Sequence, residues 1–113
     1  MEPIVYPLSK QETLFSNSQR LKEVSPELGD AFWGLRHAAN AHSTLSARER
    51  ELTFLAAFAG TMNEGGFRVH VNHAHSAGLS VQELEQVVLL MLGTSLGLAP
   101  TVQLLAWLHE ELD

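Results

Sequence analysis

Three times in this chain a serine is followed three residues later by a glutamate: Ser9 with Glu12, Ser46 with Glu49, and Ser80 with Glu83. That spacing is a capping box. The serine hydroxyl accepts a hydrogen bond from an amide of the first helical turn, and the glutamate reaches back to the serine amide. Ser25-Pro26 adds a further start, since proline's fixed φ suits the first helical position and its missing N–H has no partner to lose there. Behind these starts apolar residues recur at helical spacing: Leu14, Leu21 and Val24; Leu28, Phe32, Leu35 and Ala39; Leu84, Val87, Val88 and Met91. A helix is predicted over 46–62, and the Asn63-Glu64-Gly65-Gly66 stretch reads as a break. The next helix starts at Gly66 or Phe67 and ends at Gly78, and Pro100 opens a last one carrying Leu104, Leu105, Leu108 and Leu112. Strand alternation is nearly absent. The fold class is therefore all-α, about six helices in a compact bundle with short connections.

A chain of 113 residues is expected to form a single domain, with an N-terminal segment and first helix over 1–24 and a helical core over 25–112. Its formal charge of −6, with no lysine or arginine cluster, argues against nucleic acid as a partner. The absence of cysteine excludes disulfides, thiolate metal sites and thiol catalysis. Its first residues lack the basic and apolar regions of a signal peptide, and the run from Val87 to Leu92 is far shorter than the ~20 residues of a membrane span. A cytoplasmic protein that does not engage a membrane is expected. That same run is apolar on most sides, which favours burial in a homo-oligomer.

Two titratable residues fall on faces that should be apolar. Phe54, Leu55, Phe58, Ala59 and Met62 gather on one side of the 46–62 helix, and Glu51 lies inside their arc. A carboxylate there must pair, stay protonated or face a polar cavity, unless its place near the helix start lets it reach solvent or free amides. On the next helix Phe67, Val71, Ala74 and Ala77 define the inner face, and His70 lies among them. A carboxylate beside an imidazole handles protons, and a histidine bonded to a carbonyl merely packs. In a tight antiparallel hairpin the positions of Glu51 and His70 lie apart, so contact needs a skewed crossing or a bridging group. Among His70, His73 and His75, only His70 with His73 has helical ligand spacing, and the wheel turns His73 outward, so no metal site is expected. A phosphate-binding loop and the dinucleotide glycine fingerprint are both missing.

The order of residues resembles a known family. Leu-Ser-Ala-Arg-Glu-Arg-Glu-Leu-Thr-Phe-Leu-Ala-Ala (45–57), then His70, Ala-Gly-Leu-Ser (77–80), Glu83 and a late Gly97-Leu-Ala-Pro are similar to the carboxymuconolactone decarboxylase family, whose superfamily includes the alkylhydroperoxidase D proteins. The resemblance runs roughly from Ser25 to Leu108. It implies an all-α bundle assembled as a homotrimer or homohexamer. The peroxidase branch uses a glutamate, a Cys-x-x-Cys pair and a histidine. The glutamate matches Glu51, the histidine matches His70, and the cysteine positions fall on Asn63 and Gly66. Without its thiols that activity is lost. The decarboxylase branch opens carboxymuconolactone chemistry instead, a lyase reaction releasing carbon dioxide without any cofactor.

The function expected from these features is cofactor-free acid–base chemistry on a small organic acid or lactone, with Glu51 and His70 catalytic. Asn63, Arg68 and His75 are the candidate substrate-binding groups, and Arg50 shares with Arg68 the choice between holding an anion and plain surface solvation. The alternatives are a non-catalytic ligand-binding or structural oligomer of the same fold, and a peroxidase-like protein without the thiol pair.

Overall fold

The serine caps at Ser46 and Ser80 form as their spacing predicts. In the computed structural model, which describes residues 12–113 and their side chains from residue 17 onward, each serine accepts from the amide three residues on. Each partner glutamate closes the box on the serine amide. The Ser46 box holds the Glu49 carboxyl below its ordinary range through the backbone and side-chain hydrogen bonds of Ser46. Ser25 caps the helix that begins at Pro26, again through its side chain. The remaining box, at Ser9, lies outside the described residues.

Six helices are described: α1 (Glu12–Val24), α2 (Pro26–His42), α3 (Ala47–Gly60), α4 (Glu64–Ser76), α5 (Val81–Met91) and α6 (Leu98–Leu112). No strand occurs among the described residues beyond one isolated bridge between Leu92 and Leu96, so the all-α expectation holds. No described helix is long and apolar enough to cross a membrane. The described residues divide into two compact units, one up to residue 44 and one over 45–113.

In the first unit α1 packs on α2. Gly29 lets the helices close, since a Cβ there would meet the Lys22 backbone at 2.9 Å. Along the apolar stripe of α2, Phe32 is half-buried while Leu28 and Leu35 are exposed.

In the second unit α3 and α4 form a hairpin, α5 and α6 a second, and the four helices share one core. Leu55 and Ala59 from α3 meet Phe67, Val71 and Ala74 from α4. Leu84 and Val88 from α5 and Leu104 and Leu108 from α6 complete it. An ion pair between Arg48 and Glu83 ties α3 to α5, and His109 bonds Glu85 at 2.8 Å between α6 and α5.

Two helix starts differ from expectation. The glycine pair does not break the chain: α4 begins at Glu64, because Asn63 caps it by accepting from the Gly66 amide at 3.0 Å. The reversal is made by Thr61 and Met62 instead, with Met62 at a φ of 54°. A non-glycine residue there costs on the order of 1–3 kcal/mol, offset by packing of Met62 against the core. Likewise α6 begins at Leu98, two residues before Pro100, whose missing N–H is harmless anywhere in the first turn.

Gly66 sits where the hairpin is tightest. A Cβ at this position would fall 2.5 Å from two ring carbons of Phe58. Gly66→Ala should therefore destabilise the protein by about 1–3 kcal/mol, the cost of forcing a packed ring aside. Urea denaturation measures it. A change within ~0.5 kcal/mol, ordinary for a surface position, would show that Phe58 moves freely.

Candidate active site

The register of the α3–α4 hairpin brings the site together. Phe58 lies over Gly66, and one turn further from the reversal Phe54 lies beside His70, their ring centroids 5.2 Å apart. One turn further again, the same antiparallel register sets Glu51 level with His73. His70 and His73 are neighbours three residues apart on α4, so the Glu51 carboxylate serves both positions.

The observed geometry is direct. His70 Nδ1–H donates to Glu51 Oε2 at 2.8 Å, with no bridging group needed. The imidazole is buried, 8% exposed, and the Glu51 side chain retains 17% exposure. Phe58 stacks on the His70 ring at 5.2 Å and Phe54 meets it edge-on. The two rings fix the imidazole plane and exclude water from one side. Sequence reasoning set the pair apart by treating His70 as near the start of its helix. Because α4 begins at Glu64, His70 is mid-helix and one turn from the level of Glu51.

His73 is exposed, as the wheel predicts, and still lies close to the pair. The wheel turns it outward, yet its ring meets the His70 ring at 5.1 Å in a T-shaped contact. The single inner arc assumed one buried side, whereas α4 packs against α3, α5 and α6. Phe67, Val71 and Ala74 face the shared core, while His70 and His73 face α3. Desolvation lowers the His73 pKa, repulsion from His70 adds to that, and attraction to Glu51 opposes it. Its ring thus stays neutral to lower pH than an ordinary histidine. The ligand-capable atoms of Glu51, His70 and His73 all lie within 4.8 Å of one another, a group able to hold a metal ion. An outward-facing, exposed His73 is thus still near enough to Glu51 and His70 to join such a group.

The expected substrate-binding residues have other partners. Asn63 is the α4 cap. His75 bonds the Leu79 carbonyl through Nδ1 at 3.0 Å, at the far end of α4. Arg68 bonds Glu64 and Glu111, each at 2.9 Å, and pairs with Glu110. Burial disfavours its charge, but these carboxylates outweigh that and raise its pKa. Arg50 donates to the Leu45 carbonyl at 2.7 Å, closing the turn before α3. None of these interactions joins the Glu51–His70 cluster.

One letter pattern invites a nucleophile: Gly93-Thr94-Ser95-Leu96-Gly97 has the G-x-S-x-G spacing. That motif works at a strand-to-helix elbow, whereas this segment links two helices and Ser95 Oγ donates to Met91 Sδ at 3.7 Å.

Comparison with known families matches residues 26–110 to the carboxymuconolactone decarboxylase family. The chain belongs to that family. No curated protein and no solved structure matches it.

Proposed function

We propose that this protein is a cofactor-free lyase of the carboxymuconolactone decarboxylase type, acting in the cytoplasm on a small organic acid or lactone. One observation carries the reading: the 2.8 Å hydrogen bond between Glu51 and a buried His70, walled by two phenylalanine rings. The carboxylate orients the imidazole and stabilises its protonated form. When the substrate's carbon–carbon bond breaks and carbon dioxide leaves, its electron pair remains as an enolate. The His70 imidazolium then gives a proton to the enolate carbon next to the carbonyl. The apolar wall of Phe54 and Phe58 favours loss of the substrate's carboxylate charge, because a desolvated carboxylate is less stable than carbon dioxide and a delocalised enolate. Family membership supports the reaction type.

The test is turnover of carboxymuconolactone and related lactone acids in deuterated water. Expected are carbon dioxide release and one deuterium in the product, for an enol-lactone at the carbon next to the lactone carbonyl. Robust hydroperoxide turnover with a dithiol donor, and none of any lactone acid, would overturn the reading in favour of redox chemistry.

We also propose a homotrimer or homohexamer. Leu89, Leu90 and Leu92 at the end of α5 are 50%, 70% and 43% exposed, and Leu98 and Val102 of α6 are exposed as well. An apolar group of this kind is usually covered by a partner. Sedimentation should give at least three chains per particle at micromolar concentration; a stable monomer would contradict the assembly.

A further inference from the structure

We infer that Glu51, His70 and His73 form a binding site for a divalent first-row transition ion of the Zn²⁺ class, and that the ion and the proton relay exclude one another. The inference rests on the same Glu51–His70 pair as the proposed reaction and adds a third residue to it.

Three observations carry it. The ligand-capable atoms of the three side chains lie within 4.8 Å of one another. Metal–nitrogen and metal–oxygen bonds are ~2.0–2.2 Å, so two ligands of one ion stand up to about 4 Å apart. The cluster thus needs to contract by under about 1 Å, and His73, being exposed, has room to turn its ring. Second, the three residues stand on packed helices, His70 and His73 three apart on α4 and Glu51 opposite on α3. The His70 ring is clamped by Phe54 and Phe58, so little side-chain freedom remains to be lost on binding. Third, the donor set is two imidazoles and one carboxylate. That combination suits Zn²⁺, Co²⁺, Ni²⁺ or Fe²⁺, while Mg²⁺ and Ca²⁺ prefer oxygen alone. Three protein ligands leave a coordination position open on the exposed side of His73.

Exclusion follows from the 2.8 Å contact. Glu51 and His70 share one proton along that line, and an ion held by both takes its place. Metal uptake would then switch the acid–base pair off and release it again on chelation.

The experiment is titration of the chelator-treated full-length chain with Co²⁺, followed by its visible d–d absorption, and with Zn²⁺ by calorimetry. Expected are one ion per chain, a cobalt spectrum showing nitrogen and oxygen ligation, and an affinity at least about 10-fold weaker in His73→Ala and in Glu51→Gln. His75→Ala, on the same helix outside the cluster, should bind as the parent does. Far-ultraviolet circular dichroism checks that each variant is folded, and His73→Asn gives a second probe should His73→Ala lose helix. Unchanged affinity in the folded His73 variant, or equal loss in His75→Ala, would overturn the site. Binding is read on the resting protein, so its failure leaves the turnover test of the proposed reaction untouched.

Discussion

Glu51→Gln should lower turnover roughly 10²–10⁴-fold, the usual contribution of a general acid–base group, while leaving the helical content and the assembly unchanged. Glutamine is nearly isosteric and still accepts from His70 Nδ1–H through its amide oxygen, so the imidazole keeps its place between Phe54 and Phe58. What disappears is the negative charge that stabilises the imidazolium. His70→Asn should bring a comparable loss. The double variant should cost little more than either alone, because residues that act as one unit are strongly non-additive. Steady-state kinetics on the lactone acid that proves to be the substrate, normalised to folded protein, measure all three. A purely structural pair would give the opposite pattern, with stability lost and turnover per folded molecule intact.

Arg68→Ala should destabilise the fold by about 3–5 kcal/mol, the cost of leaving a buried charge without its partner. The guanidinium gathers Glu64 from its own helix with Glu110 and Glu111 from α6, and lies 6.0 Å from the Trp107 ring. Glu111 is the critical member, 6% exposed, with Asn72 donating to its second oxygen at 2.8 Å. Without Arg68 this carboxylate loses the guanidinium that bonds it at 2.9 Å. Arg68→Lys should recover only part of the loss, since an ammonium cannot present a planar fork to several carboxylates. Urea denaturation of the three proteins decides it, and a loss below ~1 kcal/mol for the alanine variant, typical of surface pairs, would reduce the network to surface solvation.

The parts of this protein legible in its sequence are those encoded locally. Ser46 with Glu49 and Ser80 with Glu83 announce their helices within four residues, and both boxes form. Glu51 and His70 stood out because each interrupts an apolar arc, and the structure joins them. What depends on two elements at once was not legible. The start of α4 was misplaced because Gly65-Gly66 favours a turn in isolation. Only the Asn63 cap and the Phe58 ring pressed against Gly66 explain why glycines stand inside a helix. His73 is exposed as the wheel has it, but a wheel of one helix does not show that an outward ring can lie within ligand reach of Glu51 on α3. The Arg68 cluster joins residues more than forty positions apart in the chain, with no local periodicity to announce it.

The Phe58–Gly66 contact also limits what position 66 can become. By its resemblance to the peroxidase branch this position matches a cysteine, yet here the side-chain volume belongs to the ring stacked on His70. A single mutation to cysteine would drive the first side-chain carbon into that ring before any thiol could meet a partner at position 63. Position 66 therefore accepts a side chain only if Phe58 moves or shrinks, and either change would unsettle the His70 ring stacked on it.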